Sequence, residues 1–233
     1  MQLILIIPIY NEATAIPLVI EEWHQALSKA LPADSYRILV IDDGSKDRTP
    51  DVLRDLQTKY PELLVHTQKN QGHGRACLTG YKKAEEMGAE YVMQIDSDGQ
   101  CNAVYFPQFW ERRKESPLYG RRYERLDGMG RKIISLTLRF CLYVITGTKL
   151  HDTNVPYRLY PVKMVAEAAQ QIPPTFDLAN IAVALYLEPE GFHEIPIDFR
   201  DRVGGEPSIR WFGFARKAIR LFRDIGTLNL KRR

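Results

Sequence analysis

Two aspartates one residue apart close the run Tyr91-Val92-Met93-Gln94-Ile95-Asp96-Ser97-Asp98-Gly99-Gln100. The apolar part reads as a buried strand. Carboxylates at its end stand at the carboxyl edge of a sheet, where open α/β sheets bind ligands. Such a pair suits a hard divalent ion, Mg²⁺ or Mn²⁺, that can bridge to phosphate oxygens. Taken alone, the stretch is more simply a strand-ending turn, because Asp, Ser and Gly are common turn residues. Further acids shift that balance. Glu12 follows the apolar run Leu3–Ile9, and Asp42 with Asp43 follows Tyr36–Ile41. Like charges gathered at one edge repel unless a cation or ligand offsets them.

The elements that must carry these acids alternate. Leu3–Ile9 is a continuous apolar run, as expected of a strand buried on both faces of a parallel sheet. Ile16 to Leu31 has apolar residues at helical spacing. Tyr36–Ile41 is a second strand, and Thr49-Pro50 opens a second helix with a good N-cap and a proline in the first turn. Leu63–Thr67 is a third strand. Arg75 to Met87 is a third helix, stopped by Gly88, and the run ending at Asp96 is the fourth strand. This alternation predicts an α/β fold, a mostly parallel central sheet flanked by helices.

The second half is less regular. Helices are expected over Val104–Lys114, Gly130–Ile145, Val162–Gln171 and Asp177–Leu187. A short strand is expected at Leu118–Gly120 and another at Phe192–Phe199, with Pro196 marking an edge. Residues 121–128 form a basic loop. Arg131 and Lys132 fall in a helical first turn, where cations oppose the dipole unless an anion sits there. From Ser208 to Ile225, Trp211, Ala215, Ala218, Phe222 and Ile225 share one helical face, with arginines and lysines elsewhere. This basic amphipathic stretch suits an anionic membrane surface, or else packs on the domain with its charges in water.

Several chemistries are excluded. The chain lacks a complete GxGxxG, a GxxxxGK[ST], a GxSxG and an HExxH motif. The three cysteines show no CxxC spacing, so neither a structural zinc site nor a disulfide framework is expected. The five histidines do not cluster, and a lone histidine is usually structural or solvent-exposed. No nucleic-acid module is recognisable. No leader or spanning helix is expected: the longest later apolar stretch, residues 133–147, contains Arg139. The 233 residues, 45% hydrophobic and 26% charged with a net charge of +3, suit a globular protein with ample core.

In order along the chain stand Pro8-x-Tyr10-Asn11-Glu12, Asp42-Asp43-Gly44-Ser45-x-Asp47-x-Thr49, Asn70-x-Gly72-x-Gly74-x-Ala76, Asp96-x-Asp98-Gly99-Gln100 and Arg202-x-x-Gly205-Glu206. This set resembles the family 2 glycosyltransferases of the glycosyltransferase-A fold. Within them it is most similar to the dolichol- and polyprenyl-phosphate sugar transferases. The resemblance covers nearly the whole chain. It implies a catalytic domain over residues 1–207, with a nucleotide-binding half (1–100) and an acceptor-binding half (101–207), followed by the basic tail 208–233.

The resemblance also implies roles. Pro8, Tyr10, Glu12, Ile41 and Asp43 match the pocket for base and ribose. Asp96 and Ser97 would face the nucleotide, and Asp98 with Gln100 would hold Mg²⁺ or Mn²⁺ on the diphosphate. Arg202 would clamp that diphosphate, since guanidinium gives bidentate phosphate contacts. Arg122, Arg131 and Ser135 would receive an acceptor phosphate. Asp152 would serve as a base if the acceptor were a hydroxyl. The implied partners are a GDP- or UDP-sugar donor, a polyprenyl phosphate and a membrane surface, with no nucleic acid. A homo-oligomer or a membrane-protein partner stays open. The implied location is cytoplasmic and peripheral, on the cytoplasmic face of the membrane. Two readings stand beside this one: a saccharide hydroxyl acceptor in surface polysaccharide assembly, and a non-catalytic nucleotide-binding module. Two departures from the subgroup pattern bear on the acceptor. Arg202-Val203-Gly204-Gly205-Glu206-Pro207-Ser208 lacks the lysine of Arg-x-x-Gly-Glu-Ser-Lys, and His151-Asp152-Thr153-Asn154-Val155-Pro156-Tyr157-Arg158 lacks the Gly-Phe-Arg usual in that stretch.

Overall fold

The computed structural model describes residues 1–122, 155–173, 176, 179–187, 189 and 191–203. The elements in chain order are β1 (Leu3–Ile9), α1 (Ile16–Ala30), β2 (Tyr36–Asp42), α2 (Thr49–Lys59), β3 (Leu63–Thr67), α3 (His73–Glu86) and β4 (Tyr91–Ile95). Two 3₁₀ turns, Ala103–Tyr105 and Arg113–Glu115, flank α4 (Phe106–Glu111). Then come β5 (Leu118–Arg122), β6 (Tyr157–Pro161), α5 (Val162–Gln170), α6 (Ala179–Leu187) and β7 (His193–Ile197).

The strands form one sheet in the order β3-β2-β1-β4-β6-β5-β7. The first four are mutually parallel, as alternation with helices requires. The apolar run of β1 is buried throughout because it has a strand on either side and helices above and below. Helix α1 buries Ile16, Val19, Ile20, Trp23 and Leu27, the stripe that its apolar spacing predicts. On α3, Gly80 allows close approach to β1: a Cβ there would lie 3.0 Å from Ile6 Cδ1. β7 is the terminal strand, in keeping with Pro196.

β6 was not legible as a strand. It runs antiparallel between β4 and β5, with Ile95 opposite Tyr157. Its second residue, Arg158, is fully buried, so no apolar run announces it. The guanidinium is accommodated by backbone carbonyls: Nε donates to Val155 O at 2.7 Å and Nη1 to Asn180 O at 2.8 Å. Nη1 also donates to the Tyr160 hydroxyl at 3.1 Å, and the group lies 4.9 Å from the centre of the Tyr119 ring. Below it Tyr81 donates to the side-chain oxygen of Gln94, the polar residue of β4.

The expected helix Val104–Lys114 is broken into a 3₁₀ turn, a short α-helix and a second 3₁₀ turn. Asn102 caps the first turn, accepting from Val104 N at 3.0 Å, and Pro107 restarts the chain as α4. Elsewhere β5 runs two residues past the expected strand, and α3 begins two residues before Arg75. The expected helix at 130–145, the turn at 151–154 and the basic stretch 208–225 lie outside the described residues.

Candidate active site

The exits of β1, β2 and β4 meet at the carboxyl edge of the parallel strands. Around a cavity of about 380 Å³ stand Pro8, Ile9, Tyr10, Glu12, Asp43, Asn70, Gly72, His73, Ala76, Asp96, Ser97, Asp98 and Arg202.

Asp43, 2% exposed, ties this edge together. Its Oδ1 accepts from Gln68 Nε2 at 2.8 Å and from Gln71 N at 2.9 Å, and its Oδ2 accepts from Gly72 N at 2.7 Å. One carboxylate thus joins the loop after β2 to the loop entering α3. The next loop is held the same way. Thr49 Oγ1 accepts from Glu12 N at 3.0 Å, Asn11 Oδ1 accepts from Lys46 N at 2.7 Å, and Asp47 Oδ1 accepts from Thr49 N at 2.9 Å. Asn11 takes a left-handed conformation, φ 55°, to make this turn.

Glu12 is nearly buried and pairs with Arg202. Burial pushes the Glu12 carboxyl above its ordinary range; the Arg202 guanidinium pulls it back, and Asp98 and Asp47 add to the rise. Arg202 reaches the cavity from a strap formed by residues 198–203. The strap is pinned by Arg200 N to Gln100 O at 3.2 Å and Val203 N to Asp98 O at 2.9 Å, and Arg200 Nη2 donates to Glu22 Oε2 at 2.6 Å. Gly99, at φ +78°, is the residue the strap crosses: a Cβ there would meet Val203 Cγ2 at 2.8 Å.

The residues Asp98 and Gln100 fit a hard cation. Asp98 lines the cavity, and its Oδ1 also receives Gln100 N at 3.1 Å. Gln100 Nε2 donates to Arg200 O at 3.2 Å, which commits the amide nitrogen to the strap and would leave Oε1 as the atom for a cation. The donors are all oxygen and few. Among the described residues no group of three or more His, Cys, Asp or Glu side chains could hold a metal.

Of the residues singled out in the sequence, Pro8, Tyr10, Glu12, Asp43, Asp96, Ser97, Asp98 and Arg202 line one cavity. Ile41 is fully buried in β2 opposite Pro8 and lies beneath the cavity wall instead of in it. Arg122 is the last residue of β5, and its side chain lies outside the described residues. Arg131, Ser135 and Asp152 also lie outside them. Asn70, Ala76 and His73 line the cavity too. The first two belong to the Asn70-x-Gly72-x-Gly74-x-Ala76 motif, but nothing in the sequence marked His73.

The fold closely follows that of glucosyl-3-phosphoglycerate synthase from Mycobacterium tuberculosis, solved in complex with Mn²⁺, UDP-glucose and phosphoglyceric acid. The TM-score is 0.70 at 12% identity, covering 97% of this chain and 79% of that one. A likeness at that identity defines the class by fold, glycosyltransferase-A. Sequence gives the family: residues 4–165 match the model for Glycosyl transferase family 2, and the chain belongs to that family.

Among curated relatives, undecaprenyl-phosphate mannosyltransferase from Micrococcus luteus is 27% identical over 225 residues, 88% of this chain and 86% of that protein. Undecaprenyl-phosphate 4-deoxy-4-formamido-L-arabinose transferase from Pectobacterium atrosepticum is 28% identical over 159 residues, 66% of this chain. The match takes in 47% of that relative, so this chain spans about half its length. No helix among the described residues is long and apolar enough to cross a membrane.

Proposed function

We propose that this glycosyltransferase moves a sugar from a GDP- or UDP-sugar to a polyprenyl phosphate, with inversion at the sugar carbon and with the help of Mg²⁺ or Mn²⁺. The observation that carries the donor half is the cavity itself, where four carboxylates and Arg202 converge on one edge. The acceptor half rests on the relatives, which are named as undecaprenyl-phosphate transferases.

In this reading Pro8 and Tyr10 receive the nucleoside, and Asp43 keeps the two loops around it in register. The cation, bound by Asp98 and Gln100, would supply charge neutralisation for the departing diphosphate. Arg202 adds two directed N–H groups to the same oxygens, and to do so it exchanges its Glu12 partner for the diphosphate. The bond from the sugar carbon to the diphosphate oxygen breaks as an oxygen of the acceptor phosphate bonds to that carbon. The electron pair leaves with the nucleoside diphosphate. The acceptor oxygen is already anionic, so no proton has to be removed. Arg122, Arg131 and Ser135 are assigned to the acceptor phosphate and the basic tail to the cytoplasmic membrane surface, where the acceptor resides.

The test is transfer of radiolabel from GDP- or UDP-sugars, with Mg²⁺ or Mn²⁺ and with or without chelator, to undecaprenyl phosphate in vesicles. Chelator-sensitive label in the lipid phase is expected. Label confined to water-soluble glycan would replace the acceptor. Absence of transfer from every donor to any acceptor would overturn the enzymatic reading.

A further inference from the structure

Among the described residues, the cavity carries four carboxylates and one guanidinium. Glu12, Asp43, Asp96 and Asp98 line it, and Arg202 is paired with Glu12. A nucleoside diphosphate brings more negative charge into the same space. The other cavity-lining residue able to carry positive charge is His73.

His73 is the first residue of α3, where a cation opposes the helix dipole and is poorly placed for the helix's own sake. Its Nε2 lies 3.6 Å from Asp96 Oδ1 and 3.5 Å from Cys77 Sγ, one turn along the helix. The side chain is 52% exposed although it lines the cavity, so a ligand can reach it. The groups that act on it are Cys77 on α3, Asp96 after β4 and Asp43 after β2; Glu12, Asp98 and Arg202 line the same cavity.

We propose that His73, as an imidazolium, is a positioning residue of the donor site, holding the Asp96 carboxylate at the cavity wall and offsetting the charge of the nucleoside diphosphate. This rests on the donor reading above. The surroundings favour the charged ring. Cys77 raises its pKa most, burial works against the rise, and Asp96 and Asp43 add to it. Solvent on the exposed half of the side chain moderates the shift. The contribution is present below the raised value and is lost as pH rises through it.

The test is calorimetry of the full-length chain with UDP and with GDP in Mg²⁺, from about pH 6 to about pH 10, around the ordinary histidine value and above it. Wild type should bind one diphosphate and lose affinity on the alkaline side. His73→Gln should bind about tenfold more weakly at neutral pH, the size of one charge-assisted contact, and its alkaline loss should disappear. His73→Lys should recover most of the affinity and carry the alkaline loss to higher pH. Melting temperatures of both variants separate a folding defect from a binding one; if His73→Gln is unstable, His73→Lys decides. A His73→Gln variant with the affinity and pH profile of wild type overturns the inference and leaves the donor reading intact. So does a folded His73→Lys as weak as His73→Gln. Wild type binding neither diphosphate overturns the donor reading and the inference with it.

Discussion

In the parallel half of the sheet the buried charges are carboxylates at strand exits; in the strand that runs against it the buried charge is a guanidinium in mid-strand. Asp42 and Asp43 are buried where β2 ends, and backbone N–H groups of the following loops donate to them. Arg158 is buried in the body of β6 and donates to carbonyls instead. The two arrangements have different uses. A carboxylate at an exit stands beside open space, so the residue that orders a loop can also line a cavity. A cation in mid-strand is closed in by Tyr81, Tyr119 and Tyr160, and it can only organise the interior.

This contrast can be broken by mutation. The largest effect belongs to the exit carboxylate assigned to the proposed cation: Asp98→Ala should lower kcat on the order of 10³-fold while the melting temperature stays near wild type. Transfer that survives in Asp98→Ala would remove the cation site from this edge. Arg158→Met should do the reverse. It should cost about 3 kcal/mol in urea unfolding, because carbonyls of Val155 and Asn180 lose a buried donor, and nucleotide affinity should persist in the folded fraction. An unaltered unfolding midpoint would show that the guanidinium is not structural.

Gly99→Ala should cost about 1–2 kcal/mol, since φ +78° disfavours alanine and the new methyl meets Val203. It should also raise the donor KM by displacing the strap that carries Arg202. The smallest effect is that of pH on Glu12. Its folded carboxyl is raised above the ordinary value of 4.5, so the folded state binds the proton more tightly than the unfolded one does. The Glu12 contribution to stability is then greatest below about that value and falls as pH rises through the raised one. The stability of Glu12→Gln relative to wild type should therefore improve between acidic and neutral pH. A pH-independent difference in urea midpoints would mean that the Arg202 pair cancels burial.

How much of this was legible in the sequence follows the same division. β1, β2 and β4 are written as apolar runs closed by acids and β3 as a short run without one, and the structure places the four as a parallel set with those acids at one edge. β6 is written as Tyr-Arg-Leu-Tyr-Pro, and what makes it a central strand is a pair of carbonyls that no local pattern encodes. The carboxylates could be singled out by type and position, and Arg202 by the family resemblance. The stapling by Asp43 could not, because its partners are main-chain amides of residues 71 and 72 and the side chain of Gln68. His73 was invisible for a related reason. A single histidine has no period, and its neighbours Asp96 and Asp43 arrive from other strands.

Asp43 also bears on how such a pocket could be re-engineered. Its three accepted hydrogen bonds make it part of the scaffold, so exchanging it to alter base preference would loosen two loops at once. Tyr10 lines the same cavity, is 42% exposed, and belongs to no element of the sheet core. A library aimed at new nucleotide donors would vary Tyr10 freely and leave Asp43 alone.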